Sequence, residues 1–113
     1  MPLPDLDALD PDELADMVSD VRDATSFMKA LAHEGRLMML CYLVDGEKTV
    51  TDFENLLSMR QPAVSQQLMR LRSDGLVSAR REGKAIHYAI ADPRVARIVG
   101  ELYDMFCASG ECR

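Results

Sequence analysis

The segment Gln61-Pro62-Ala63-Val64-Ser65-Gln66-Gln67-Leu68-Met69-Arg70-Leu71-Arg72, followed by Ser73-Asp74-Gly75, constrains the fold more than any other stretch. Pro beside the first turn suits a helix start, and Asp-Gly suits a helix stop. Val64, Leu68 and Leu71 recur at helical spacing and predict a helix over 61–72 with one buried face. Ser65, Gln66, Met69 and Arg70 then point away from that face, so hydroxyl, amide and guanidinium groups are turned outward. Two β-like runs follow, 76–80 and 85–90, joined by Arg81-Glu82-Gly83-Lys84, with Gly83 where positive φ is accessible. A polar-faced helix with a basic hairpin behind it is the equipment of a DNA reader.

The preceding residues read as support. Asp10-Pro11-Asp12-Glu13 is a helix start: a capping Asp, Pro in the first turn, then acids against the positive helix end. Leu14, Met17, Val18, Val21, Met28 and Leu31 form one apolar stripe on this first helix, widened by Phe27. His33-Glu34-Gly35 interrupts the pattern, and a second helix is expected over 35–44. Asp45-Gly46-Glu47 reads as a turn and Lys48-Thr49-Val50 as a short extended piece. Thr51-Asp52-Phe53-Glu54 has the spacing of a capping box and predicts a short third helix, which Ser58-Met59-Arg60 separates from the reader helix. A last helix begins at Asp92-Pro93 and carries Val95, Ile98, Val99, Leu102, Met105 and Phe106 on one face, with Cys107 near its end.

The order is ααααββα, mainly α with a β-hairpin wing: a winged helix-turn-helix with helices added before and after. The domain is expected to span 11–107, between a flexible acidic tail at 1–10 and a short tail at 108–113. The first and last helices carry more apolar surface than one small core needs, so part of it is expected to face a second subunit.

Formal net charge is −6, but its distribution matters more than its sum. Acids crowd the first segment (Asp5, Asp7, Asp10, Asp12, Glu13, Asp16, Asp20, Asp23). Between Arg60 and His87 the balance reverses, where Arg60, Arg70, Arg72, Arg80, Arg81 and Lys84 face only Asp74 and Glu82. No apolar run approaches the ~20 residues of a membrane span, and Met1-Pro2-Leu3-Pro4-Asp5 lacks the pattern of a signal peptide; a cytoplasmic protein is expected. Three cysteines, Cys41, Cys107 and Cys112, are an odd count that argues against a structural disulfide framework, and the absence of a CxxC pair argues against a zinc knuckle.

Leu31-Ala32-His33-Glu34-Gly35-Arg36-Leu37 resembles the opening motif of the ArsR family of bacterial repressors. Gln61-Pro62-Ala63-Val64-Ser65-Gln66-Gln67-Leu68 resembles the reader helix of that family. Leu71-Arg72-Ser73-Asp74-Gly75-Leu76-Val77 and Arg81-Glu82-Gly83-Lys84-Ala85-Ile86-His87-Tyr88 resemble its hairpin. The resemblance covers roughly residues 27–106 and implies a homodimer paired through its first and last helices on an inverted-repeat operator in double-stranded DNA.

The metal sites known in the family lack their ligands here. Thr49-Val50-Thr51 stands where one class has Cys-x-Cys, the last helix offers Asp92, Glu101 and Asp104 but no His, and the reader helix has no Cys. No metal or cofactor is expected. One Cys on the second helix and one near the end of the last resemble the dithiol branch, the biofilm-growth and sulfide-responsive repressors. That likeness implies that Cys41 and Cys107 become linked, directly or through added sulfur atoms, and that DNA is then released. Reactive sulfur species would be the inducer. Peroxide or a bound ligand such as haem is the alternative, and Cys112 matches nothing in the pattern.

Taken alone, Cys41 among Leu37, Met38 and Val44 reads as buried filler; its pairing with Cys107 in a family scaffold reverses that. No Lys or Arg stands three or four residues from either Cys, so nothing local lowers their thiol pKa. For DNA, Gln61, Ser65, Gln66 and Arg70 are the candidate contacts from the reader helix, where Gln suits adenine and Arg suits guanine. Arg80, Arg81, Lys84 and His87 are the candidates from the wing, for phosphates or the adjacent minor groove. A winged helix that binds protein and not DNA is the reading from a different class, and the basic run over 60–84 opposes it. An enzyme is not expected: the sequence shows no Ser-His-Asp set, glycine-rich phosphate loop or metal cluster.

Overall fold

The computed structural model describes residues 3–107. After a single 3-10 turn at Leu6–Ala8, the helices are α1 (Pro11–Leu31), α2 (Glu34–Val44), α3 (Val50–Leu57) and α4 (Gln61–Ser73). Strands β1 (Val77–Glu82) and β2 (Ala85–Ile90) form the hairpin, and α5 (Pro93–Cys107) follows. This is the winged helix-turn-helix order expected from the sequence. The tail at 108–113, with Cys112, lies outside the described residues, and the turn at Leu6–Ala8, capped by Asp5, falls within the segment expected to be a flexible tail.

The core is one cluster beneath α4. Met39, Leu40, Phe53, Val64, Leu68, Leu71 and Val95 are wholly buried, and the three expected core positions of the reader helix are among them. α4 ends as its sequence requires. Gly75 has φ +75°, its N–H donates to the Arg72 carbonyl at 3.0 Å, and the Leu76 N–H donates to the Leu71 carbonyl at 3.0 Å. These two bonds satisfy carbonyls that a helix end leaves open, and they turn buried Leu76 back onto buried Leu71. Arg70 and Arg72 in that last turn oppose the negative end of the helix dipole.

α1 opens with the capping box that Asp10 and Glu13 predict: the Glu13 N–H donates to the Asp10 carboxylate at 2.8 Å and the Asp10 N–H to the Glu13 carboxylate at 3.4 Å. The helix is about 31 Å long at 1.5 Å per residue, yet only Ala30 and Leu31 are buried. Leu14, Val18, Val21 and Met28 of its stripe are exposed. The radius of gyration is 17.1 Å, against about 13 Å for a compact chain of this length; the projecting apolar helix accounts for the excess. Among the described residues no helix is long and apolar enough to cross a membrane.

Three local details differ from the sequence expectation. The capping box of α3 is Thr49 with Asp52, not Thr51 with Glu54: the Asp52 N–H donates to the Thr49 hydroxyl at 3.1 Å and the Thr49 N–H to the Asp52 carboxylate at 2.8 Å. The reason is tertiary. Lys48 pairs with Tyr88 as an isolated antiparallel bridge, with N–H to carbonyl distances of 3.0 and 2.8 Å, and this holds the chain extended until Thr49. α2 starts at Glu34, one residue early, because the His33 ring caps it, its Nδ1 accepting from the N–H groups of Gly35 and Arg36 at 3.1 and 3.3 Å. In the hairpin, the ladder continues to Glu82 opposite Ala85, so the turn narrows to Gly83-Lys84, with Gly83 at φ +62°. Arg81 and Glu82 therefore belong to the strand.

Candidate functional site

α3, a left-handed Ser58 at φ 52° and α4 make the helix-turn-helix. With Val64, Leu68 and Leu71 buried, Gln61, Gln66, Met69 and Arg70 are exposed on the opposite side and Ser65 is half-buried beside them. Arg70 is not idle: its Nε donates to the Asp74 carboxylate at 2.8 Å across one helical turn. Both side chains are well exposed, so the pair is weak in water and exchanges readily for another anion.

The wing candidates divide. Arg81, whose Nε donates to the Gly83 carbonyl at 3.2 Å, and Lys84 at the turn are exposed at the tip. Arg80 is engaged elsewhere. It donates to both carboxylate oxygens of Glu47, at 2.6 and 3.2 Å, and to Glu82 at 2.7 Å. These bonds hold the Arg80 guanidinium charged, and Arg80 in turn holds the Glu47 and Glu82 carboxyls below their ordinary values. His87, opposite Arg80 in the strand register, lies 3.9 Å from Glu82 and is half-buried. Arg80 thus ties the wing to the turn after α2, beside the Lys48–Tyr88 bridge, and reaches DNA only by exchanging those carboxylates for phosphate. Glu47 escaped sequence reasoning because its partner lies on a distant strand and no local pattern marks the pair.

The two cysteines meet at the α2–α5 junction. Cys41 and Cys107 line one cavity of about 710 Å³, with Leu37, Tyr42, Val99 and Leu102 among its walls. Cys41 is free and exposed, against the buried filler that its position alone suggested. Cys107, the last residue of α5, is buried and disulfide-bonded, where the odd cysteine count had argued against structural disulfides. Since Cys41 is free, the two are not joined to each other. Among the described residues no group of three or more His, Cys, Asp or Glu is placed to hold a metal ion.

Although Cys41 is open to solvent on one side, the walls around it disfavour a charge, and this desolvation pushes its thiol up from the ordinary value. A thiol with a raised pKa is neutral at pH 7 and gains its nucleophilic thiolate only as pH rises. Alkylation of Cys41 by iodoacetamide, followed by peptide mass mapping, is therefore expected to be slower than that of free cysteine at pH 7. Its rate should still be climbing past the usual thiol range of about 8.5. A rate that levels off below that pH would mean that a cation activates the thiol.

Comparison with known proteins agrees with this architecture. Residues 33–79 match the family described as "Bacterial regulatory protein, arsR family". The chain is 48% identical over 84 residues to the biofilm growth-associated repressor of Agrobacterium fabrum, covering 74% of this chain and 72% of that protein. Among solved structures it resembles reduced HlyU from Vibrio cholerae, with TM-score 0.78, 35% identity and coverage of 81% and 97% of the two chains. It also resembles the homodimeric winged helix-turn-helix DNA-binding domain of Mb0332 from Mycobacterium bovis, with TM-score 0.72, 33% identity and coverage of 84% and 88%. Fold, motif and similarity along most of its length place this chain in the ArsR family of bacterial regulatory proteins.

Proposed function

We propose that this protein is a homodimeric transcriptional repressor whose grip on an inverted-repeat operator depends on the state of Cys41 and Cys107. The observation that carries this reading is the shared cavity: α2 and α5 bring one cysteine each to the same apolar cleft, at a distance from the reader face. DNA binding is supported by the outward polar face of α4 and the basic wing tip, and by relatives that are DNA-binding regulators. Dimerisation is supported by the exposed stripe Leu14, Val18, Val21 and Met28 of α1 and by exposed Tyr103, Met105 and Phe106 of α5. The homodimeric relative agrees with it.

In this reading the reduced dimer binds DNA through Gln61, Ser65, Gln66 and Arg70 to bases and Arg81, Lys84 and, after exchange, Arg80 and His87 to the backbone. A reactive sulfur species then adds sulfur to one thiol, and the second thiol displaces the carrier as a free thiol. The product is Cys41–S–(S)n–Cys107, the two protein thiols being oxidised and the sulfur donor reduced. The bridge draws α2 and α5 together. In a dimer that change alters the separation of the two α4 helices, and two half-sites read at fixed spacing lose affinity.

The test starts from fully reduced protein, treated separately with a persulfide donor and with hydrogen peroxide. Intact mass, cross-linked peptides and operator binding are read on the same samples. Persulfide treatment is expected to yield a Cys41–Cys107 linked peptide carrying extra sulfur mass and to release DNA. Cys41→Ser should bind DNA when reduced and no longer respond. If neither oxidant links the two residues, or if the linked protein binds as before, thiol sensing is excluded. A response to peroxide alone would identify the alternative inducer.

A further inference from the structure

One side chain connects the projecting helix to the reader helix. Arg36, in the first turn of α2, donates through Nε to the Ala30 carbonyl at 2.7 Å and through Nη2 to the Lys29 carbonyl at 3.4 Å. Both carbonyls lie in the last turn of α1, where a helix lacks internal partners and carries negative potential. The third bond runs the other way, from Nη1 to the Gln67 side-chain oxygen on α4 at 3.1 Å. Arg36 is itself half-buried and its backbone is anchored, because the His33 ring accepts its N–H. Gln67 is half-buried on the flank of α4, between the buried face and the exposed reader face.

The rest of α4 does little to fix its own direction. Arg60 makes no side-chain capping bond to the start of the helix. Val64, Leu68 and Leu71 hold it by apolar burial, which is strong but non-directional. The Arg36–Gln67 bond adds direction, since a guanidinium fork and an amide oxygen meet within a narrow range of distance and angle.

We propose that Arg36 is a positioning residue, and that its bond to Gln67 sets the orientation of the reader helix relative to α1 and so the half-site spacing that the dimer accepts. The inference rests on the homodimeric DNA-binding reading above. Its consequence is specific: removing the bond broadens the accepted spacing without removing contacts to bases.

The experiment uses the full-length reduced protein and the inverted-repeat duplex that the wild type enriches from a random-sequence library. Related duplexes have the spacer between half-sites lengthened or shortened by a base pair. The wild type is expected to discriminate against both altered spacers by about tenfold or more, in the range of one well-placed charge-assisted hydrogen bond. Gln67→Leu should lose most of that discrimination, with melting temperature and binding to unrelated duplex unchanged. Gln67→Glu keeps an acceptor for Arg36 and should keep the spacing preference, even if its added charge weakens binding to every duplex alike. A purely structural role of Gln67 would lower the active fraction and scale all duplexes together. Gln67→Leu discriminating as well as the wild type would overturn the proposal. If the wild type enriches no duplex at all, the DNA-binding reading itself fails, and that outcome is distinct from the first.

Discussion

Phe53→Ala is expected to lower the free energy of unfolding by about 3–5 kcal/mol, the range for removing a buried aromatic side chain together with the cavity it leaves. Phe53 is wholly buried among the residues that join α2, α3, α4 and the strands. Domains of this size are held by about 5–15 kcal/mol in total, so the variant should be partly unfolded near physiological temperature. Urea unfolding followed by circular dichroism checks it, with Leu56→Ala as the comparison. Leu56 is 42% exposed on the same short helix and should cost far less. The loss would carry into function, because α3 is the helix on which α4 is mounted. An unfolding midpoint for Phe53→Ala matching that of Leu56→Ala would show that this core does not hold the helix-turn-helix together.

The second large effect concerns DNA. The double variant Gln66→Ala with Arg70→Ala is expected to lose about a hundredfold or more in operator affinity, since each good bidentate base contact is worth roughly 1–3 kcal/mol. Binding to unrelated DNA should fall much less, since phosphates supply that term. The ion pair of Arg70 with Asp74 does not change the estimate: it is exposed, and an exposed pair competes weakly against a base edge. Fluorescence anisotropy titrations at several salt concentrations separate the two effects. Arg70→Ala alone should lower the salt slope by no more than about one counterion, while Gln66→Ala should leave the slope unchanged. Wild-type affinity in the double variant would make this face of α4 a solvated surface.

Much of the architecture was legible because it is written in short-range chemistry. Val64, Leu68 and Leu71 repeat at the helical period, Asp10 stands three residues before Glu13, and Gly75 and Gly83 mark the two places where the chain turns through positive φ. Where two local signals competed, the sequence could not choose. Thr49-x-x-Asp52 and Thr51-x-x-Glu54 both have capping-box spacing, and the Lys48–Tyr88 bridge selected the first by keeping the chain extended up to Thr49. The end of β1 was likewise decided by pairing, since Arg81 and Glu82 face Ile86 and Ala85 in the ladder and are not free to form the turn.

The site was legible in outline and not in its connections. Cys41 looked like core filling beside Leu37 and Val44, and only the packing of α2 on α5 leaves it open to solvent in a cavity shared with Cys107. Arg80 read as a phosphate contact, and only the fold shows Glu47 and Glu82 holding it. Arg36 belonged to a recognised motif, but its bond to Gln67 has no sequence signature. By itself the sequence determined the elements, their order and the outward face of α4, because periodicity, caps and glycines act within a few residues. The tertiary structure decided which charges are engaged, which thiol is open and what orients the reader helix, because those depend on groups far apart in the chain that meet only when the core closes.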